Sequence, residues 1–393
     1  MRRPTLAYLR TESGAGLVLP IAAVAAIGLA TSAYAIHYRA WLATSLPVQF
    51  GAFAETLDAA AWVRALLMPV FFLVLGMQLK FELLRGELSG PRRVALPLLA
   101  ALGGLVGPAA IYFALALGGG QGDPGGWAIG CATDGASALA VFTLTGPRLA
   151  ASLRVLLIAV ALADNLVAVV LEALTRIGAL DLAMLGGAGA VLAALALLSR
   201  WRRAPFLFYA LGFVLVWGFT LKSGLEPALA GVACAMAVPI GARRVGQDSM
   251  LRYFMDSLHP YVAFAVLPLF VFTAVGFSLR HFHVSGLWTA EPLAVMAALV
   301  IGKPVGVFGL CWAGVAAKVA RQPLGVTWRE LLGVALLCGD GFTVSYFIAG
   351  ARGDDPSTTA LRAAILIGSA LSAIGGGALL DWAQRERVIE PET

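Results

Sequence analysis

The amino-acid sequence predicts an all-α polytopic membrane protein with about twelve transmembrane helices. Of its 393 residues, 60% are hydrophobic and 13% are charged, whereas a soluble domain carries about 25% charged residues. Apolar stretches of about 20 residues, long enough to cross a bilayer, recur along the whole chain. Lys and Arg gather in alternate connections between them. These observations predict one membrane unit, residues 1–393, surrounded by lipid bilayer, rather than several soluble domains.

Each predicted span is an apolar run bounded by charged or turn-forming residues. The twelve spans lie near residues 14–36, 59–80, 95–117, 126–146, 155–175, 182–199, 205–221, 225–240, 260–278, 293–314, 331–350 and 359–383. The seventh and eighth are separated by little more than Lys222. The longest polar connections, residues 37–58 and about 241–259, are too short to hold a soluble catalytic domain.

The positive charges predict the orientation of the chain. Twenty of the 28 Lys and Arg residues fall in the termini and in every second connection, seven fall in the other connections, and Lys303 lies within a span. Because Lys and Arg are enriched on the cytoplasmic side, both termini are predicted to lie in the cytoplasm. The same bias explains the net charge of +6 without a nucleic-acid partner.

Several function classes have no signal in the sequence. Walker, Rossmann and HExxH motifs are missing, so we predict no nucleotide partner and no enzyme activity. The four cysteines lie inside apolar stretches with neither a CxxC pair nor a neighbouring His. This pattern predicts no metal centre and no disulfide, and we predict no cofactor.

Three polar residues in the fifth and tenth spans lie where lipid would surround an unpaired charge. Asp164 and Asn165 are adjacent in an apolar run and offer oxygen atoms to a hard cation or a proton relay. Lys303 has about ten span residues on either side, so we predict a buried ion pair with Asp164. The alternatives are a structural interhelical hydrogen bond for Asp164 and a lysine that reaches the membrane surface.

Two further spans are each interrupted by a glycine-rich polar cluster. Thr133 and Asp134 interrupt the fourth span, and Asp340 lies in the stretch Cys-Gly-Asp-Gly-Phe-Thr of the eleventh. Such clusters let a helix open and free backbone groups to bind ions. The two spans run in opposite directions, which predicts inverted repeats built from spans 3–5 and 10–12. The alternative is small-residue helix packing with one hydrogen-bonded Asp.

These segments resemble the NhaA family of bacterial sodium/proton antiporters. The matching stretches appear in family order over about residues 10–385: residues 71–80 with Glu82, 132–134, 163–165, 221–224, 259–260, 267–270, 301–304 and 338–343. The resemblance implies a twelve-helix fold with two crossed broken helices and a homodimer in the bacterial inner membrane. It also implies a core domain, about residues 92–176 and 290–385, and a dimerisation part made of the remaining spans.

The resemblance also implies the residues that bind ions. Asp164 matches the first of two paired aspartates, and Lys303 matches the lysine that pairs with it. Thr133 and Asp134 match the first broken helix. The transported ions would be Na⁺ or Li⁺ and H⁺, with Asp164 and Asp134 as ligands of the cation.

Several positions depart from the family pattern, four of them in or beside the predicted site. The second aspartate of the family pair, its principal cation ligand, is Asn165 in this chain. Asp340 occupies a position that is usually apolar in the eleventh helix. Gly135 replaces a large aliphatic residue, and Ser137 replaces an aromatic one.

Two hypotheses account for these departures. In the first, Asp340 takes over part of the charge role vacated at Asn165, and Asp134, Asp164 and Asp340 surround one polar cavity. Clustered carboxylates would then share a proton that a cation displaces. In the second hypothesis, the transporter carries another substrate, such as an acetate-like or bile-acid-like anion, or couples its ions differently. Two plainer alternatives are Asp340 as a counter-charge for helix ends and a membrane protein that transports nothing.

Overall fold

The structure, a computed structural model, describes residues 12–50, 53–85, 91–117, 123–175, 180–200, 205–240, 249–350 and 356–389. Within these ranges the chain is mainly helical and contains one two-stranded sheet. Eight of the described helices are long and apolar enough to cross a membrane, or nine if one bent pair counts as a span. The predicted all-α polytopic membrane fold is confirmed.

Each of the twelve predicted spans overlaps a described helix. In three of them the helix is shorter, with 10–17 residues: Leu182–Leu198, Phe206–Lys222 and Ala228–Ala237. The first eight α-helices along the chain are α1 (Glu12–Thr31), α2 (Ala35–Leu42), α3 (Ala59–Leu84), α4 (Pro91–Tyr112), α5 (Trp127–Cys131), α6 (Gly135–Thr145), α7 (Ala151–Thr175) and α8 (Leu182–Leu198). The others are α9 (Phe206–Lys222), α10 (Ala228–Ala237), α11 (Met250–Tyr261), α12 (Leu267–Ala274), α13 (Ala290–Ala297), α14 (Lys303–Ala316), α15 (Trp328–Cys338), α16 (Phe342–Gly350) and α17 (Pro356–Ile389). Three π-helical turns extend or join them: Phe113–Leu117 after α4, Val262–Val266 between α11 and α12, and Ala298–Gly302 between α13 and α14. Short 3₁₀ turns cover Leu279–His281 and Val284–Trp288.

The first predicted span and the connection after it differ from the sequence-based expectation. The chain bends by 113° between α1 and α2 instead of continuing as one straight helix. The polar connection then folds into an antiparallel hairpin of β1 (Ser45–Phe50) and β2 (Phe53–Asp58). Partly buried and exposed residues alternate along β2, as expected of a pleated strand in which successive side chains point to opposite faces.

Side-chain hydrogen bonds fix where several helices begin. Asp58, Asp181 and Ser249 accept hydrogen bonds from backbone amides in the first turns of α3, α8 and α11. α15 begins with a capping box, in which the Thr327 hydroxyl accepts from the Glu330 amide at 3.3 Å. The Glu330 carboxylate in turn accepts from the Thr327 amide at 2.8 Å, so both otherwise unpaired amides are satisfied.

The chain divides into two compact units. The first comprises Met1–Val24, Glu87–Ala168 and Phe277–Thr393, and the second comprises Ala25–Gly86 and Val169–Gly276. The first unit includes most of residues 92–176 and 290–385. Its apolar core is built by α4, α6, α7, α14, α15 and α17, which contribute the buried side chains of Leu96, Phe142, Leu153, Val307, Val334 and Leu380.

Polar groups of the second unit are paired along the contact between α3 and α10. Lys80 Nζ donates to the carbonyl oxygens of Met236 at 2.6 Å and Val238 at 2.7 Å, at the end of α10. Arg64 of α3 pairs with Glu226 at 2.7 Å, just before α10 begins. A cation at a helix C-terminus is favourable because the last carbonyl groups carry partial negative charge.

Glycines allow α4 and α14 of the first unit to pack backbone against backbone. Gly103 and Gly107 on α4 lie four residues apart, as do Gly302 and Gly306 along the opposing segment. A Cβ atom on Gly103 or Gly306 would collide with the backbone of the other glycine. This is the small-xxx-small arrangement by which membrane helices approach closely.

We expect Gly306→Ala to destabilise the protein, because the added methyl group would push α14 away from the α4 backbone. The expected cost is about 1–3 kcal/mol, the range for overpacking a close contact. Gly309 on the same helix has open space around its Cβ position. Gly309→Ala is therefore the matched control, and we expect it to be neutral or slightly stabilising. Thermal unfolding of the purified variants in detergent measures both effects, and equal stabilities for the two variants would contradict the packing argument.

Candidate ion-binding site

Two helices of the first unit are interrupted, and their interruptions meet. The break between α5 and α6 covers residues 132–134, and the break between α15 and α16 covers residues 339–341. The two breaks are joined by the backbone, because the Asp134 amide donates to the Asp340 carbonyl oxygen at 2.5 Å. The structure thus places both glycine-flanked aspartates at helix interruptions, as the sequence predicts.

A buried ion pair lies beside this crossing. Lys303 Nζ is 3.0 Å from Asp164 Oδ2, and both side chains are 0% exposed. The same ammonium group donates to the carbonyl oxygen of Cys131, the last residue of α5, at 2.5 Å. The ion pair predicted from the sequence is present. Asp164 Oδ1, in contrast, is a buried oxygen for which the described residues provide no hydrogen-bond partner.

Thr133 connects the ion pair to both broken helices. Its hydroxyl lies 3.1 Å from Asp164 Oδ2 and 2.9 Å from the carbonyl oxygen of Cys338, the last residue of α15. Its amide donates to Asn165 Oδ1 at 3.2 Å. Thr133, Asp164 and Asn165 are all buried. They therefore form one cluster of oxygen atoms.

Asp134 is held by the first turns of two half-helices. Its Oδ1 accepts from the amides of Ala136 at 3.1 Å and Ser137 at 3.3 Å, which begin α6. Its Oδ2 accepts from the Thr343 amide at 3.0 Å, at the start of α16, and from the Thr343 hydroxyl. Both carboxylate oxygens are thus engaged in hydrogen bonds to protein groups.

Asp340 makes the reciprocal contact across the crossing. The Ser137 hydroxyl of α6 lies 2.5 Å from Asp340 Oδ2. The Phe342 amide at the start of α16 also stabilises the carboxylate, and the charges of Asp134 and Lys303 act on it. Each break therefore supplies an aspartate that contacts a hydroxyl group of the other broken helix.

The helix ends at the crossing are neutralised by specific groups. Each N-terminus carries about half a positive charge and each C-terminus about half a negative charge. Asp134 contacts the N-termini of both α6 and α16, while Lys303 and Thr133 donate to the final carbonyl groups of α5 and α15. One carboxylate matches two half charges, so Asp340, which also faces the first amide of α16, adds a negative charge beyond that balance.

Comparison with known proteins identifies the family. A family model described as Na⁺/H⁺ antiporter 1 matches residues 6–380. The chain belongs to this family. Among similar proteins, Na(+)/H(+) antiporter NhaA 2 of Erythrobacter litoralis is 37% identical over 377 residues, which cover 95% of this chain and 92% of the relative. Na(+)/H(+) antiporter NhaA of Bordetella parapertussis is 40% identical over 389 residues, 96% and 97% of the two chains, and that of Vibrio campbellii is 37% identical over 389 residues, 98% and 96%.

The NhaA resemblance seen in the sequence is therefore confirmed, and with it a transporter family rather than an enzyme family. The six residues predicted as the ion and proton site come together in one region of the first unit: Thr133, Asp134, Asp164, Asn165, Lys303 and Asp340. Their individual roles stay predictions. The contacts of Asp134 differ from those expected of a cation ligand, because both its oxygens already accept hydrogen bonds from protein groups.

Sequence reasoning missed the hydroxyl partners of the crossing in this NhaA-family protein. Ser137 and Thr343 each lie three residues after an aspartate, in the repeated pattern Asp-Gly-x-Ser/Thr. That pattern is a signal in itself, since aspartates before a helix accept hydrogen bonds from its first turn. What the pattern does not reveal is that each hydroxyl reaches the aspartate of the opposite helix.

The described residues contain no group of three His, Cys, Asp or Glu side chains that could hold a resident metal ion. The oxygen cluster suits a transported cation instead. Among the described residues, none is a hydrogen-bond partner of Asp164 Oδ1, and the oxygen atoms of Thr133 and Asn165 lie in the same cluster. Hard cations prefer carboxylate, amide and hydroxyl oxygens of this kind.

Proposed function

We propose that the protein exchanges Na⁺ or Li⁺ for protons across the bacterial inner membrane. The observation that carries the proposal is the state of Asp164, a fully buried carboxylate with Lys303 and Thr133 on one oxygen and no described partner on the other. A buried carboxylate oxygen left unpaired is costly, and binding a proton or a cation there removes that cost. Because Asp164 Oδ1 can accept either, the two ions compete, and competition at one group couples their movements.

Residue roles follow from the same geometry. Asp164 is the shared acceptor of cation and proton, and Thr133 and Asn165 supply neutral oxygens beside it. Lys303 balances the charge of Asp164 and holds the end of α5. Broken helices at the site let it open to one side of the membrane at a time, as in other transporters with inverted repeats.

Transport in proteoliposomes tests this proposal. With a pH gradient imposed, we expect Na⁺ or Li⁺ added outside to dissipate the gradient, with K⁺ as the comparison cation. Asp164→Asn keeps the shape of the side chain but removes its charge, so this variant should not respond to any cation. A parent protein that is folded and correctly inserted, yet moves no protons when Na⁺ or Li⁺ is added, would contradict the proposal.

The orientation of the chain is a second proposal. The bias of Lys and Arg supports both termini in the cytoplasm, although residues 1–11 and 390–393 lie outside the described residues. All four native cysteines are free and buried. A cysteine added at the C-terminus of the intact protein can therefore be labelled selectively, and an impermeant thiol reagent should reach it only from the cytoplasmic side. Labelling from the outside would refute this orientation.

We also propose a homodimer, on the basis of the family resemblance. The expected mass in mild detergent is twice that of the 40.8 kDa chain. Native mass spectrometry measures it directly, and a monomer at all concentrations and in lipid nanodiscs would contradict it.

A further inference from the structure

The Ser137 hydroxyl faces two hydrogen-bond acceptors. It lies 2.5 Å from Asp340 Oδ2 and 3.3 Å from the backbone carbonyl oxygen of Asp134. A serine hydroxyl has one proton to donate and can also accept. Ser137 can therefore donate to only one of the two acceptors at a time.

This arrangement satisfies Asp340 in both of its protonation states. When Asp340 is ionised, Ser137 donates to its carboxylate. When a proton binds to Oδ2, the new O–H group donates to Ser137 Oγ, and the serine proton turns to the Asp134 carbonyl. No buried polar group loses its partner in either state, so neither state incurs the cost of an unsatisfied buried group.

The same arrangement exists at Asp164. The Thr133 hydroxyl lies near both Asp164 Oδ2 and the carbonyl oxygen of Cys338. It can donate to the carboxylate, and when a proton binds to Asp164 Oδ1 it can turn and donate to the carbonyl instead. Each of these two aspartates thus has a hydroxyl partner that also reaches a backbone carbonyl.

Asp134 is built differently. Three of its partners are backbone amides, those of Ala136, Ser137 and Thr343, and an amide donates but cannot accept. Its fourth partner is the Thr343 hydroxyl, for which the described residues show no second acceptor, so this hydroxyl has nowhere to turn its own proton if a proton binds to Asp134. A proton on Asp134 would also remove the charge that faces the ends of α6 and α16. The three aspartates at the crossing are therefore not equivalent.

We propose that Asp340, positioned by Ser137, is a second proton-exchanging carboxylate of this antiporter, whereas Asp134 stays ionised. The proposal rests on the antiport function proposed above and extends it from Asp164 to a second group. In each cycle one O–H bond forms at Asp340 Oδ2 with a proton taken from water, and the same bond breaks when the cation binds and the proton returns to water. The charged groups that act on Asp340 from the neighbouring elements are Asp134 and Lys303.

The positioning role of Ser137 is tested by the pH dependence of Na⁺-driven proton movement in proteoliposomes. Ser137→Ala removes a hydrogen bond to a charged group, so the pH at half-maximal activity should rise by about one unit. Ser137→Thr keeps the hydroxyl and should restore the parent profile. Thr143 lies on the same helix, and among the described residues its hydroxyl has one hydrogen-bond partner, the Leu139 carbonyl at 2.7 Å. Thr143→Ala is the matched control and should leave the profile unchanged.

A double-mutant cycle shows whether Ser137 acts through Asp340. In the Asp340→Asn background, adding Ser137→Ala should not shift the pH at half-maximal activity any further. Compared with the parent, purified Asp340→Asn protein should release one proton fewer per molecule when Na⁺ binds. An equal shift in both backgrounds, or unchanged proton release, overturns the inference. Failure of the parent to exchange Na⁺ contradicts the proposed function instead. In that case the pH dependence of thermal unfolding, measured over the same cycle, still decides whether the two residues titrate as a pair.

Discussion

Lys303→Ala is expected to destabilise the protein by about 3 kcal/mol or more, because it leaves Asp164 as an unpaired charge that is fully buried. The Cys131 carbonyl at the end of α5 loses its donor at the same time. We also expect the variant to lose Na⁺-driven proton movement. Thermal unfolding in detergent and transport in proteoliposomes measure the two effects separately.

Removing both charges should cost less than removing either one. In Asp164→Asn combined with Lys303→Met no unpaired charge remains, so much of the lost stability should return while transport stays absent. The exposed pair of Arg385 and Asp381, 2.6 Å apart on α17, provides the control. Arg385→Ala should cost no more than about 1 kcal/mol and leave transport intact. Additive losses in the Asp164 and Lys303 double variant would refute the ion-pair argument.

The sequence predicted the positions of the spans well because a helix that crosses the bilayer needs about 20 mostly apolar residues, and such runs are visible in the sequence. It did not predict the bend between α1 and α2. Residues 14–36 form one apolar run, and the hydropathy of a run does not show whether the helix within it is straight or bent. The hairpin at residues 45–58 was missed for a related reason, since two strands of six residues each give a weak signal beside long apolar helices.

Within the site, the charges were predictable and most of their partners were not. A buried lysine is stabilised by a counter-charge, and few carboxylates lie in the spans, so the sequence could name Asp164 as the preferred partner of Lys303. The carbonyl groups of Cys131 and Cys338 could not be singled out, because every residue has a carbonyl. Only the ends of interrupted helices leave such groups free to accept, and those ends are set by how the helices cross.

The contact between Ser137 and Asp340 was hidden for another reason. Hydroxyl side chains are common in membrane helices and usually bond to their own helix, as Thr143 and Thr145 do. The Asp-Gly-x-Ser/Thr pattern distinguishes Ser137 from them, but it does not identify Asp340 as the partner of Ser137. The crossing of the two breaks brings it to Asp340, and this is tertiary information. The family resemblance implies a different residue type at both positions, and the structure places Ser137 and Asp340 in direct contact.

Two substitutions test the hypothesis that Asp340 takes over the charge role vacated at Asn165. We expect Asp340→Ile, which restores the usual apolar residue of the family, to weaken Na⁺-dependent proton movement tenfold or more, where a factor of ten corresponds to about 1.4 kcal/mol. With three aspartates and one lysine ionised the site has a net charge of −2, and this variant lowers its magnitude by one. The site in this variant has less negative charge to attract a cation, and it has one carboxyl group fewer to exchange protons.

Adding Asn165→Asp to Asp340→Ile should recover most of the lost exchange. Asn165 is buried, and its Oδ1 accepts from the Thr133 amide at 3.2 Å. A carboxylate of nearly the same shape can keep that hydrogen bond, and its second oxygen places the charge beside Asp164. The double variant thus regains the net charge of the parent in the arrangement that the family resemblance implies. Its apparent affinity for Na⁺ and its pH profile are measured in proteoliposomes beside both single variants.

The outcome separates relocation of a charge from loss of a function. Recovery in the double variant, with little exchange in Asp340→Ile, means that Asp340 and an aspartate at position 165 supply the same charge from two helices. Exchange in Asp340→Ile equal to that of the parent would show that Asp340 has no part in ion coupling. If Asn165→Asp alone creates Na⁺/H⁺ exchange that the parent lacks, the result favours the hypothesis of another substrate or altered coupling, because one restored carboxylate would then complete a site that Asp340 does not replace.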